Sequence, residues 1–274
     1  MPTELVLFQG RVGDRNDLAL PGARALANAL AAAHGLCARV IGAPEPALNQ
    51  GWATELAAAR PALQALHAHF ERVCTRGARV VAATSRCAAS IATLPVIARH
   101  HPRACVVWFD AHADLNTPDS TLSGYLGGLA LAAPLGLWHS GFGAGLDTDR
   151  LVLVGQRDLD PFESDLIAQR RIVHLPPGPG LARELRDAVA GRPVYVHLDC
   201  DVLNPGIVPT DYVHDAGLSL EDLRQAAEAL AASEVIGLEI AEFQNAWHPG
   251  GEPVSPAPLV DALRPLLVTL LAAA

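Results

Sequence analysis

Two short acidic motifs, Asp110-Ala111-His112-Ala113-Asp114 and, far downstream, Asp199-Cys200-Asp201, hold most of the chemistry available to this chain. Each follows an apolar run, Ala104 to Phe109 and Val194 to Leu198, of the kind that forms a buried strand. Side chains alternate faces along an extended segment, so Asp110, His112 and Asp114 can share one side, as can Asp199 and Asp201. Four carboxylates brought together repel one another and must take up protons or bind cations. Oxygen-rich ligation with one imidazole suits a pair of Mn²⁺ ions, or another hard divalent metal, better than zinc in a thiolate cage. The competing reading makes these residues polar strand ends, with Asp199 and Asp201 satisfied by backbone amides.

The elements that would position them read as an α/β chain with a mostly parallel sheet. Strands are expected at Glu4 to Phe8, Cys37 to Ile41, Ala78 to Ala83, Ala104 to Phe109, Leu151 to Val154, Ile172 to Leu175, Val194 to Leu198 and Val235 to Ile240. Helices rich in Ala and Leu are expected near 17–34, 53–74, 88–100, 125–132, 162–169, 180–190, 219–232 and 257–273. In such sheets ligands gather beyond the carboxyl ends of the strands, where both acidic motifs fall. The Gly- and Pro-rich loops Gly141 to Asp149, Pro176 to Gly180, Pro205 to Gly217 and Trp247 to Pro258 are expected to wall the pocket. With no break in composition, residues 1–274 read as one domain.

Composition narrows the function. All 20 basic residues are Arg and the net charge is −9. Without Lys there is no Schiff-base or P-loop lysine, and no basic stripe invites nucleic acid. No stretch suits a membrane span or a signal peptide, so a cytoplasmic enzyme is expected, with its five cysteines as reduced thiols.

The stretch DAHADLNTPDSTLSG resembles the first long metal motif of the arginase, or ureohydrolase, family; DCDVLNP resembles the second, and GLEIAEFQ a third that carries a substrate-binding Glu. The resemblance implies a three-layer α/β/α fold around an eight-stranded, mostly parallel sheet, and two Mn²⁺ ions as cofactors. It makes Asp110 and Asp199 the bridging ligands, adds Asp114 to one site, and gives His112 and Asp201 to the other. It further implies a metal-bridging hydroxide that attacks a guanidino carbon, with Asp114 and Glu242 as the catalytic carboxylates. By the same resemblance Asn116, Thr121 and Ser123 hold a substrate α-carboxylate, Asp160 and Glu163 read its α-amino group, and Glu242 orients the guanidinium. The implied partner is a small guanidino amino acid, and family members range from monomers to hexamers. Local structure offers rival roles: turn hydrogen bonds for Asn116, Thr121 and Ser123, a helix cap for Asp160 and Glu163, and a salt bridge for Glu242.

Two departures from the family pattern set the expected branch. Most arginases carry a Gly-Gly-Asp-His motif whose His binds a metal, and here the register places Cys87 at that position. Cys87 is therefore the sixth expected ligand, against the alternative of a buried thiol with no metal contact. After Ser123, where arginases have a proton-shuttling His, this chain reads Gly124-Tyr125-Leu126-Gly127-Gly128, which leaves the shuttle to solvent or to another group such as His139. Together with GRVGDR (Gly10 to Arg15) and GLWHSGFGAGL (Gly136 to Leu146), these departures resemble a family branch of D-cycloserine biosynthesis. That branch cleaves Nω-hydroxy-L-arginine to hydroxyurea and L-ornithine. The alternatives are an arginase or another guanidino- or formimino-acid hydrolase and, in a different class, a metal-poor binding protein without activity.

Overall fold

Apolar runs that are buried along their whole length behave as strands of a sheet covered on both faces. The computed structural model describes residues 2–272. Its strands are β1 (Thr3–Phe8), β2 (Ala38–Ile41), β3 (Arg79–Ala83), β4 (Cys105–Phe109), β5 (Leu151–Val154), β6 (Val173–Leu175), β7 (Val194–Asp199) and β8 (Val235–Ala241). They form one eight-stranded sheet in the order β2-β1-β3-β8-β7-β4-β5-β6. Every neighbouring pair is parallel, so the sheet is more uniform than the mostly parallel one expected. Each strand predicted from the sequence is present, with ends that move by a residue or so.

The helices are α1 (Ala19–His34), α2 (Trp52–Thr75), α3 (Ser90–His100), α4 (Pro161–Arg170), α5 (Leu181–Val189), α6 (Leu220–Ala231), α7 (Ala257–Ala262) and α8 (Arg264–Ala272). Leu63 and Phe70 of α2, Ile91 and Leu94 of α3 and Leu166 of α4 pack into one core cluster with Val80 and Trp108. Leu26 of α1, Leu185 of α5, Leu230 of α6, Leu259 of α7 and Leu267 of α8 pack into a second, with Val81 and Val107. Alternate residues of a strand therefore feed opposite helical layers, which is the three-layer α/β/α arrangement.

Two predicted helices come out differently. The helix expected over 125–132 is a single 3₁₀ turn, Gly127–Leu129. The amides of Leu131 and Ala132 both donate to the Asp114 carbonyl, and the Asn116 amide donates to the Gly128 carbonyl. Backbone donors that would have built the helix instead clamp the acidic loop, which places this segment beside the site. The helix expected over 257–273 breaks at Leu263, ahead of Pro265, which cannot donate a hydrogen bond back into the preceding turn. Residue 273 lies outside the described residues.

One glycine ties the helical layer to the site. A β-carbon on Gly22 of α1 would overlap the Phe243 carbonyl group, so α1 rests directly on the backbone that follows β8, next to Glu242. Gly22→Ala is expected to lower the unfolding free energy by about 1–3 kcal/mol, the usual cost of overpacking. Denaturant melts measure this, and an unchanged midpoint would mean that the helix is free to slide away.

Candidate active site

The site is assembled at the carboxyl ends of four adjacent strands, β3, β8, β7 and β4. Asp110 directly follows β4, Asp199 ends β7, Glu242 follows β8, and Cys87 opens the turn that leads from β3 into α3. All the predicted metal- and substrate-binding residues line one cleft except Asp110, which lies fully buried beneath it.

Tight turns, rather than the extended segments expected, bring the acids together. The His112 amide donates to Asp110 Oδ1 at 2.7 Å, the Asp201 amide to Asp199 Oδ1 at 2.7 Å, and the Ala111 amide to Asp201 Oδ1 at 3.0 Å. Asp114 has a positive φ of 53°, as does Glu242 at 65°, a conformation that non-glycine residues adopt at an energetic cost. The rival reading of the acids as capped strand ends is thus half realised. One oxygen of Asp199 and one of Asp201 face the backbone, and the other oxygen of each meets a second ligand candidate.

Candidate ligand atoms cluster in overlapping triads. Asp110, His112 and Asp201 form one, Cys87, Asp110 and Asp114 another, and Cys87, Asp199 and Glu242 a third. The Cys87 thiol stands 3.0 Å from Asp199 Oδ2, and His112 Nδ1 lies 3.1 Å from Asp201 Oδ2 and 3.2 Å from Asp110 Oδ1. Burial, reinforced by Asp201, pushes Asp110 up to about 7, and burial with neighbouring acids raises Asp114 and Asp199 well above the carboxylate range. Burial resists charging of His112, but its hydrogen bonds to Asp110 and Asp201 prevail and raise its pKa. Burial likewise works against Asp201, which its bond to His112 nevertheless holds below the ordinary range. Burial also raises the Cys87 thiol well above its usual value. Oxygen-rich donors that strain to lose charge in a dry site match what a divalent pair requires.

At the other end of the cleft, local structure and a free valence coexist. Thr121 Oγ1 accepts the Gly124 amide and Ser123 Oγ the Tyr125 amide, so both hydroxyl hydrogens remain able to donate. Asn116 Nδ2 donates to Asp160 Oδ2 at 2.7 Å. Glu163 accepts the Leu115 amide on one oxygen and the Asp160 amide on the other, so its capping role is the one realised. The salt bridge considered for Glu242 is also present: Arg86 Nη1 lies 2.7 Å from Oε2.

Several groups went unrecognised in the sequence. Arg86 is fully buried, paired with Asp14, Asp211 and Glu242, and only its position beside Cys87 hinted at a role. Asp14 explains the GRVGDR stretch, and Arg15 next to it lies over the Tyr125 ring, 4.5 Å from its centroid. Tyr125 lines the cleft with its hydroxyl 3.5 Å from Glu242 Oε1, and a β-carbon on Gly127 would overlap its ring. His139, suggested as a replacement shuttle, is exposed and outside the lining. Of the four loops expected as walls, only Pro205 to Gly217 contributes, through Tyr212; the chain around Asp158, Asp160 and Glu163 does so instead. GLWHSGFGAGL packs on α2, where Trp138 meets Trp52 edge-on and Phe142 lies under Arg60.

The raised carboxyls set a pH signature. A group whose folded-state pKa exceeds its unfolded value stabilises the fold below the unfolded value, and that contribution is lost as pH rises through the folded value. Asp110 and Glu242 both reach about 7, each chiefly through burial. Chelated protein is therefore expected to melt higher at about pH 5.5 than at about pH 8, and added divalent metal to remove or reverse that order because its ligands bind deprotonated. Thermal melts with chelator and with Mn²⁺ test this; stability that rises with pH in the chelated protein would rule out burial as the dominant cause.

Comparison with known proteins identifies the family. The arginase family profile matches residues 12–253. The chain is 41% identical to the N(omega)-hydroxy-L-arginine amidinohydrolase of Streptomyces lavendulae over 88% of each sequence. It is 30% identical to the arginase of Bacillus caldovelox over 66% of each. The solved native structure of the Bacillus caldovelox arginase superposes with a TM-score of 0.81 over 98% of both chains, at 24% identity, which speaks for the fold alone. The chain therefore belongs to the arginase family and is a hydrolase of amidine C–N bonds.

Proposed function

We propose that the chain cleaves Nω-hydroxy-L-arginine to hydroxyurea and L-ornithine, with two Mn²⁺ ions held by Cys87, Asp110, His112, Asp114, Asp199 and Asp201. The observation that carries the substrate choice is the Tyr125–Gly127 pair: the phenol fills the space that any side chain at position 127 would need, and its hydroxyl faces Glu242. A histidine shuttle on residue 127 is thus sterically excluded, which favours a substrate that needs one less. Similarity to the N(omega)-hydroxy-L-arginine amidinohydrolase of Streptomyces lavendulae supports the same choice. Bound to these ligands, the ions would lower the pKa of the attacking water and offset the negative charge carried by the heteroatoms around the guanidino carbon during attack.

The remaining work falls to side chains. Arg86 holds Glu242 Oε2, and Oε1, which accepts the Cys87 amide at 3.2 Å, keeps a second lone pair to accept a guanidino N–H. An N-hydroxyguanidine is less basic than a guanidine, so it enters neutral more readily and makes less demand on a carboxyl that burial pushes up to about 7. Burial of the Tyr125 hydroxyl and the nearby Glu242 raise its pKa well above 10, which keeps its proton in place beside the reacting groups. At the far end, Thr121 and Ser123 donate to the α-carboxylate, and Asp160 accepts from the α-ammonium group. Glu163 fixes Asp160 and the acidic loop by its two backbone hydrogen bonds.

Ornithine release by Mn²⁺-loaded protein from Nω-hydroxy-L-arginine and from L-arginine at matched concentrations, with a chelated control, decides the reading. Strong preference for the hydroxylated substrate is expected, and comparable turnover of L-arginine would overturn it. Tyr125→Phe is expected to lower kcat by about 10²-fold, the low end for loss of a positioned proton donor, while KM changes little. An unchanged kcat would remove Tyr125 from the reaction.

A further inference from the structure

Behind the metal-facing groups runs a chain of buried polar side chains for which the proposed chemistry has no use. Trp108 of β4 and His197 of β7 are register partners, and their rings stack with centroids 3.6 Å apart and 6° between planes. Trp108 precedes Asp110, and His197 precedes Asp199, by one strand period, so each ring lies one pleat behind an acid of the site. Trp108 Nε1 donates to Asp110 Oδ2 at 2.9 Å. His197 faces the sulfur instead, with Nε2 3.1 Å from Cys87 Sγ. Its Nδ1 lies 3.1 Å from Ser90 Oγ, which lies 3.2 Å from Glu239 Oε1. Tyr195 and Thr93 each donate to Glu239 Oε2 at 2.9 Å. His197, Ser90 and Glu239 have no exposed surface.

Counting hydrogens gives this chain a direction. The Cys87 thiol has one hydrogen, which Asp199 Oδ2 accepts, and a metal-held thiolate has none. In either state the sulfur is an acceptor toward His197. The His197 ring has no exposed surface and its contacts are a sulfur, a hydroxyl and an indole, so it holds a single N–H, and with the sulfur as acceptor that N–H sits on Nε2. Nδ1 then takes the Ser90 hydroxyl hydrogen, and Ser90 Oγ needs a donor from Glu239. Glu239 is accordingly the protonated acid, a form that its burial favours by raising it to about 7.

We propose that His197 is the positioning residue of the sulfur ligand: its Nε2–H, oriented by Ser90 and protonated Glu239, hydrogen-bonds Cys87 Sγ, aims it and draws charge from it. The inference rests on Cys87 as a metal ligand. A hydrogen-bonded thiolate is a weaker, harder donor, which reduces its mismatch with Mn²⁺. The ring also fills the space behind a side chain much smaller than the histidine usual at that position in the family.

Co²⁺-loaded protein provides the readout through its near-ultraviolet thiolate-to-cobalt charge-transfer band. The parent should show the band and Cys87→Ser should lack it. His197→Phe keeps a ring against Trp108 but has no N–H. Its band should move to longer wavelength, because an unbonded sulfur gives up an electron more easily. Its Mn²⁺ affinity, measured by competition with a chelator, should fall about 10–100-fold, as is usual when a partner of a metal ligand is lost. His197→Gln, whose amide nitrogen can donate to the same sulfur, should recover part of both changes. Glu239→Gln, which preserves the donor toward Ser90, should leave the band in place; a shift to longer wavelength there would overturn the assigned direction even if His197→Phe failed to fold. A parent band that His197→Phe leaves unmoved, with unchanged affinity, would overturn the proposal and leave Cys87 ligation standing. A parent without the band would overturn both.

Discussion

Crowding of carboxylates at the ends of adjacent parallel strands is the constraint on which the rest of the structure depends. Asp110, Asp114, Asp199 and Asp201 are all buried, and each loses the water that would otherwise stabilise its charge. Sharing His112 answers part of this cost for Asp110 and Asp201, as do the amides that fill one oxygen of Asp199 and one of Asp201. The remainder appears as carboxyls driven toward protonation, and a pair of divalent cations is the natural relief. Neighbouring features follow from holding these groups in place: the positive φ at Asp114, the Asp114 carbonyl that takes the Leu131 and Ala132 amides, and the Trp108 N–H on Asp110.

A second charge problem lies beside the first and is solved differently. Arg86 brings one guanidinium to three carboxylates, Asp14, Asp211 and Glu242, with no solvent contact of its own. Such a network gains little stability over an apolar core, but it holds its members in one geometry. The member that faces the cleft is Glu242. Its position is thus fixed from behind by segments far apart in sequence, and the phenol of Tyr125 meets it from the front. Tyr125 is in turn held by Arg15 over its ring and by the absence of a side chain at Gly127. These contacts link the departures from the common arginase pattern into one packing arrangement.

The acidic motifs, the strands before them and the alternation of strand and helix were legible because they are local: a strand announces itself by an apolar run, and a ligand pair by its spacing. The α/β class and the largely parallel sheet followed from the same pattern, and the three layers from the family resemblance. What misled was also local. The Leu- and Ala-rich stretch over 125–132 has helical composition, yet its Leu131 and Ala132 amides are spent on the Asp114 carbonyl and its Gly128 carbonyl takes the Asn116 amide, a competition that propensity does not register. His139 and the loops Gly141 to Asp149, Pro176 to Gly180 and Trp247 to Pro258 resembled site components, and the tertiary structure turns them to the surface or against α2.

The sequence by itself determined which residues could bind metal and that they would meet at the carboxyl edge of a sheet, since residue type, strand periodicity and parallel topology leave few other outcomes. Only the tertiary structure decided which oxygen of each acid is taken by the backbone, that Arg86 stands behind Glu242, that Tyr125 excludes a side chain at position 127, and that His197 lies against Cys87. These are contacts between segments far apart in the chain, at distances of a few ångströms. They depend on how layers pack and where water is excluded, and neither is written in the spacing of residues along one strand.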